Sequence, residues 1–485
     1  MNIDIFAQEI IDETKEVEEN LAAPTSLSLE LEYSFEELSK RLFRPGTDVL
    51  FDSAQGAVCG RVAYSNETFD CFGRKLLSVS LACIQSLGTS FFKSSQNLSL
   101  AYFEGKRKLK DLPFRPVLAH EKTELKVRGA KFLKYGVGKH YLFNTKKVSF
   151  LGYGGYSYSS GEGRVMVDPA TFLHFNPNYG TLTEGFHYGV QNTGISVGDP
   201  QGILSQDIPQ SSLHLCWPTL CGFAFATKKW CEIQFDALEP IEFRDDAFEK
   251  LVLNPSTKAL IRSLVEQSGA VFSDIIAGKG GGCIFLLHGP PGVGKTLTAE
   301  AVAEILHRPL YSIGVGELGV TPDALEKKLK EILEIAQCWD AVILLDEADI
   351  FLEARSKSDV LRNALVGIFL RLLEYHQGVL FLTSNRVEEL DSAFQSRISV
   401  TVAYSSLDSS SRARVWSNLL EAAELKVEDI DVLNEYELNG RQIKTAIRLA
   451  SSIAKSPGET FSTTELLLKA IDSQGGHIHR VATST

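Results

Sequence analysis

The chain is 485 residues long, more than one hydrophobic core usually organises, so two to four domains are expected. Its composition, 44% hydrophobic and 23% charged, is that of a packed globular protein and excludes general disorder. The formal net charge is −12, and the first thirty residues hold eight acidic side chains against one lysine, which fits neither a secretory signal nor an Arg-rich transit peptide.

Those thirty residues have few large apolar side chains to repay ordering and are expected to form an acidic disordered tail over 1–30. With no leader of either kind, a cytoplasmic or nuclear location is expected. No apolar run approaches the roughly eighteen residues of a membrane helix, so no membrane span is expected. From Leu31 to Phe235, short apolar runs alternate with Gly, Asn, Pro and Ser, as in Gly56 to Tyr64 and Cys221 to Trp230. That pattern predicts a β-rich N-terminal domain over 31–235. Eight cysteines are scattered singly, without a CxxC pair or clustered histidines, and read as reduced, mostly buried thiols rather than a metal or disulfide framework.

Residues 105–147 carry thirteen Lys or Arg against three acids. An acidic partner, RNA or lipid would suit such a stretch. A solvated β-domain surface is preferred, because Leu125, Val127 and Phe132 are interspersed with the charges, and nucleic acid is not favoured. The run Gly152 to Ser160 reads as a surface turn in preference to a stacking loop.

Helices are expected within Ala247 to Ala270, leading into a domain over 236–407. Five strand-like runs follow: Cys283 to His288, Pro309 to Ile313, Ala341 to Asp346, Val379 to Thr383 and Ile398 to Ala403. Helical periodicity between them predicts an α/β fold with a parallel sheet covered on both faces. Thr321 can cap a helix with Pro322 in its first turn and Leu325, Leu329, Ile332 and Ala336 on one face. Ser409 to Glu424, Gln442 to Ala454 and Thr463 to Ile471 then predict a small all-α lid over 408–475, with a frayed tail over 476–485.

Gly289, Pro290, Pro291, Gly292, Val293, Gly294, Lys295 and Thr296 satisfy G-x-x-x-x-G-K-[ST] between an apolar strand and a helix, the P-loop context. Glycines let successive amides converge on phosphate oxygens at the positive end of the helix, where Ala299, Val302, Ala303 and Leu306 form the buried stripe. Lys295 supplies a cation for the β- and γ-phosphates, and the Thr296 hydroxyl a ligand for Mg²⁺. The strand Val342 to Leu345 ends in Asp346 and Glu347, 51 residues beyond Lys295. Ligands sit at the carboxyl ends of parallel strands, so Asp346 is placed to hold Mg²⁺ and Glu347 to face the water that attacks the γ-phosphate. The expected cofactors are ATP and Mg²⁺. A P-loop kinase or GTPase is a lesser alternative, since a guanine-reading N-K-x-D motif is absent.

These residues resemble the AAA+ ATPase superfamily: Gly289 to Thr296 its Walker A motif, and Leu344 to Asp349 its Walker B motif. Thr383-Ser384-Asn385-Arg386 is similar to the sensor-1 segment, which implies that Asn385 orients the water. Leu390 to Arg397 is similar to the second region of homology, which implies that Arg397 is an arginine finger reaching a neighbouring subunit, and hence a homo-oligomeric ring. The fuller pattern there has two arginines and a Pro-Gly insertion, which this chain lacks. Asn439 to Ile443 resembles the sensor-2 region, with Arg441 touching phosphates as the lid closes; a solvated helix-end arginine is the alternative. Gly163 to Asp168, and the run from Leu345 through Asn363 to Arg397, look like a group of fungal-type AAA proteins with an uncharacterised N-terminal domain.

The resemblance implies an ATP-hydrolysing motor or remodeller of a macromolecular substrate. The loop from Gly314 to Thr321 holds no aromatic residue of the kind that threading members use. A nucleotide-gated binding protein with slow hydrolysis therefore stays open beside the motor.

Overall fold

The computed structural model describes residues 28–152, 155–177, 179, 203–204, 206–266, 282–319, 321–352, 360–386, 392–427, 429–454 and 462–474. Nearly all of the tail expected over 1–30, the whole of that over 476–485, and part of the Gly152 to Ser160 run lie outside these residues. Two compact units divide the chain, Met1–Ile241 and Glu242–Thr485.

The first unit is built on two antiparallel sheets. In the six-stranded sheet, Gly56–Phe69, Lys75–Ser86 and Phe91–Ala101 form long consecutive ladders, flanked by Asp48–Ser53, Phe114–Pro116 and Ile203–Leu204. The seven-stranded sheet centres on Thr219–Ala224, between Gly163–Val167 and Lys229–Gln234. Alternation explains the burial: Leu77, Val79 and Leu81 face a core with Val49, Val58 and Phe114. A 17-residue helix, Ala119–Tyr135, crosses the stretch that was expected to be β-domain surface. Its helical period was hidden among charges: Leu125, Gly129, Phe132 and Tyr135 are its buried face. Among the described residues, five of the thirteen basic side chains there make ion pairs, Lys108 and Lys110 with Glu30, Arg115 with Glu121, Lys122 with Asp48 and Lys146 with Asp236. All eight cysteines are free thiols, five of them buried.

The second unit opens with α1 (Pro255–Glu266), which lies within the expected helical stretch and starts where Asn254 Oδ1 accepts from the Ser256 amide at 3.0 Å and proline occupies the first turn. A five-stranded parallel sheet follows: β1 (Cys283–His288), β2 (Leu310–Gly314), β3 (Val342–Asp346), β4 (Val379–Ser384) and β5 (Val400–Ala403), in the order β2-β3-β4-β1-β5. The three inner strands, β3, β4 and β1, are nearly continuous apolar runs because both faces are covered. β2 starts one residue later than expected, after Pro309, which has no amide to give a ladder but whose carbonyl accepts from Val342 at 2.8 Å. β5 starts at Val400 because the amides of Arg397 and Ile398 turn back to the Phe394 carbonyl, at 2.9 and 3.0 Å.

Between the strands run α2 (Lys295–Ile305), α3 (Pro322–Trp339) and α4 (Val360–Leu373). Thr321 caps α3, and Leu325, Leu329, Ile332, Ile335, Ala336 and Trp339 are its buried stripe. No separate helix was expected at α4, yet Leu365, Val366, Phe369, Leu370 and Leu373 keep the helical period. After β5 come α5 (Ser409–Ala422), α6 (Gly440–Ile453) and α7 (Thr463–Ser473), packed around Trp416, Leu433, Ile443 and Leu467. Asp408, Asn439 and Ser462 cap them, the last two in reciprocal capping boxes with Gln442 and Glu465. Among the described residues no helix is long and apolar enough to cross a membrane.

Candidate functional site

The turn from β1 into α2 has a backbone that side chains would obstruct. Gly289, Gly292 and Gly294 have φ of +143°, +78° and +104°. At Gly289 a Cβ would also lie 2.2 Å from the Tyr404 carbonyl oxygen. Gly294 is the N-cap of α2 and supplies no side-chain cap, so the first-turn amides are left for another acceptor. Pro290, Pro291 and Val293 complete the loop, and Thr298, one turn into α2, shares a 2.7 Å hydrogen bond with the Tyr404 hydroxyl.

Lys295 folds back over this loop. Its ammonium donates to the carbonyls of Gly289 at 2.7 Å and Pro290 at 2.8 Å, and to Asn385 Oδ1 at 2.9 Å. Only 8% of the residue is exposed. Burial lowers its pKa; Asp346 and Asp349 pull it back up, and the charge of Arg441 pushes it down. Lys295 and Asn385 therefore meet directly, and the field of Arg441 reaches both the loop and its cation.

The acids stand at the end of β3. Thr296 Oγ1 lies 3.5 Å from each carboxylate oxygen of Asp346. Thr383, on the adjacent β4, donates its hydroxyl hydrogen to Asp346 and accepts from the Glu347 amide at 2.9 Å. Glu347 is left-handed at φ +58°, a conformation that costs a non-glycine residue about 1–2 kcal/mol. Such strain concentrates at functional sites. Asp349 accepts from the Ser384 hydroxyl and, at 3.2 Å, from the Asn385 amide, which fixes the end of β4. The Ser384 carbonyl accepts from Gly289 at 3.2 Å, tying that end to the loop.

The lid reaches the loop through its backbone: Gly440 donates to the Gly292 carbonyl at 2.9 Å, and a Cβ on Gly292 would strike Asn439 at 2.6 Å. Arg441, the next residue, is exposed in the first turn of α6.

Arg397 does not join the cluster. It precedes β5, whose register pairs Val400 with Phe285, so it stands at the amino end of the sheet while Gly289 follows the carboxyl end. At about 3.3 Å per residue, the length of β1 puts roughly 20 Å between those ends. There Arg397 donates to the Ala393 carbonyl at 3.0 Å and the Glu374 carboxylate at 3.1 Å.

Thr383, Asp349 and Glu374 had been given no role from sequence. Thr383 had a signal, as a hydroxyl closing a strand of apolar residues, and Asp349 is a further acid in the run after Leu345. Glu374 had none.

The donor set suits a magnesium nucleotide. The Thr296 hydroxyl and Asp346 carboxylate are hard oxygen ligands, and Mg²⁺ keeps several waters while taking one or two carboxylates plus substrate phosphates. A buried ammonium beside uncapped helix amides suits phosphate oxygens.

Residues 285–406 match the family described as ATPase family associated with various cellular activities (AAA). Over 174 residues the chain is 32% identical to human ATPase family AAA domain-containing protein 3B, an alignment covering 33% of this chain and 25% of that protein. Over 175 residues it is 31% identical to a 26S proteasome regulatory subunit homolog of Methanothermobacter thermautotrophicus, covering 33% of this chain and 46% of the relative. A Drosophila melanogaster homolog of AAA domain-containing protein 3A is 29% identical over 165 residues, 33% of this chain and 27% of its own length. The chain thus spans between a quarter and a half of these three relatives, and the family match falls on the parallel-sheet domain that carries the P-loop. Residues 285–406 are thus an AAA domain, of the AAA+ ATPase superfamily.

Proposed function

We propose that the chain binds ATP with Mg²⁺ and hydrolyses it, working as a homo-oligomeric ring that moves or remodels a macromolecular substrate. One observation carries the reading: Lys295, Thr296, Asp346, Glu347 and Asn385 converge at the carboxyl ends of three neighbouring strands, beside the uncapped start of α2. In this reading the amides of Gly289 to Thr296 and the Lys295 ammonium hold the phosphates. Thr296 and Asp346 would hold Mg²⁺, which would neutralise negative charge on the β- and γ-phosphates. Glu347 accepts the proton of the attacking water, and Asn385 orients that water. Arg441 adds positive charge from the lid.

Arg397 supports the oligomer. Standing at the opposite end of its own sheet, it can serve a nucleotide only in another copy. A charge supplied in trans in this way would make turnover depend on assembly.

A second reading, a nucleotide-gated binding protein with slow hydrolysis and no threading, is favoured by the segment from Gly314 to Thr321. It has no aromatic side chain, and its described part folds as the short 3-10 turn Val315–Glu317. Calorimetry with ATP and Mg²⁺, followed by turnover across protein concentration, tests both. Binding with activity that rises on assembly is the expected result. Binding with negligible activity at every concentration supports the switch, and no heat of binding overturns both.

A further inference from the structure

Among the described residues the Arg397 guanidinium has one acidic partner, and it comes from a different element. Glu374 sits in the turn after α4, where Tyr375 and His376 donate back to Leu372 and Leu373 at 3.3 and 3.2 Å, so the helix end continues as a tight, bonded turn. From there its carboxylate takes Nη2 of Arg397 at 3.1 Å. Nη1 is held by the Ala393 carbonyl at 3.0 Å, within the arginine's own turn. Nε is buried with no hydrogen-bond partner among the described residues. Two of the three guanidinium nitrogens are thus fixed from two sides, and the plane of the group is set. α4 is itself anchored to α3 by Arg371 and Glu326 at 3.0 Å, so the turn that carries Glu374 rests on a braced helix.

We propose that Glu374 is the positioning residue for Arg397: it holds the guanidinium in one orientation so that the phosphate-facing charge offered to a second copy of this chain arrives without a search through rotamers. The inference rests on the reading of Arg397 as a trans-acting arginine. A lone arginine side chain samples many rotamers, and a planar fork already held by a carboxylate loses less freedom when it meets a second acceptor. Glu374 would touch neither nucleotide nor water, so what it contributes to turnover is transmitted by the Arg397 side chain.

The test is a double-mutant cycle on the assembled full-length protein, reading kcat and KM for ATP. Arg397→Ala alone should lower kcat by about a thousandfold or more. Glu374→Ala should lower kcat by on the order of ten- to a hundredfold with KM unchanged, the scale of a misplaced catalytic group. Glu374→Gln, which keeps an oxygen acceptor, should recover most of that loss. In the Arg397→Ala background, Glu374→Ala should add nothing, an outcome that general damage to the fold would not give. If Arg397→Ala leaves kcat unchanged, the trans-arginine reading itself fails. If Arg397→Ala lowers kcat but Glu374→Ala has no effect, or its loss adds fully to that of Arg397→Ala, the positioning role alone is overturned.

Discussion

Lys295 Nζ lies 2.9 Å from Asn385 Oδ1, so the cation of the P-loop and the asparagine at the end of β4 are hydrogen-bonded to each other. Phosphate oxygens are stronger acceptors for an ammonium than a neutral amide is. A bound nucleotide would therefore replace this ammonium–amide bond with an ion pair to phosphate and release the amide for another partner.

Asn385→Ala should accordingly leave ATP binding within a few-fold of the parent, since Lys295 keeps its cation, and should lower turnover roughly a hundredfold, the low end of what a lost proton-transfer or orienting group costs. Calorimetry and a steady-state assay on one preparation check both halves. Parent-like turnover would remove Asn385 from the chemistry.

Glu347 offers a test that separates function from stability. Glu347→Gln should retain ATP and lose about 10²- to 10⁴-fold in turnover. Glu347→Gly should be equally inactive yet more stable by about 1 kcal/mol, because glycine adopts φ +58° without the side-chain penalty. Denaturant midpoints for the two variants decide it. A glycine variant less stable than the parent would show that the carboxylate holds the turn.

In the first unit, Asp48 gathers Arg61 at 2.8 Å, Lys122 at 2.8 Å and the wholly buried His214 at 2.7 Å. Burial raises its pKa, but the bonds from His214, Arg61 and Lys122 prevail and hold it well below the usual carboxylate range. The stability this contributes is present above the unfolded value and is lost as the pH falls through the acid range. Asp48→Asn should cost about 3 kcal/mol at neutral pH, the lower end for a broken buried pair because Arg61 and Lys122 reach solvent. Chemical denaturation at pH 7 measures it.

His376, only 6% exposed, has its pKa lowered to about 4 by burial. Unfolded, it would titrate near 6.5, so between those values the unfolded chain binds a proton that the folded chain refuses. Stability should therefore fall by about 3 kcal/mol as pH drops from roughly 6.5 to 4, with His214 and His288 shifted in the same direction. His376→Leu should flatten part of that slope in melting curves recorded across the interval. An unchanged slope would assign it to other groups.

Much of the second unit was legible because its physics is local. The P-loop spells its glycines and lysine in sequence, and β3 announces itself as an apolar run ending in Asp346 and Glu347. Arg397 and Glu374 were different: they are 23 residues apart, and the side-by-side parallel pairing of β4, β1 and β5 brings them together. The helix Ala119–Tyr135 was obscured for another reason, since its four buried residues are outnumbered by charges that pair with residues as distant as Asp48. Long-range pairing of this kind leaves no period to read.

Thr383 gives its hydrogen to Asp346 and takes one from the Glu347 amide, so a single oxygen governs two neighbouring acids with opposite polarity. In the proposed chemistry the metal side and the water side would consequently share a hinge pin: whatever displaces β4 relative to β3 would shift both together. A valine in its place would fill the same volume yet let each drift alone, so this modest side chain acts as the gauge block of the machine.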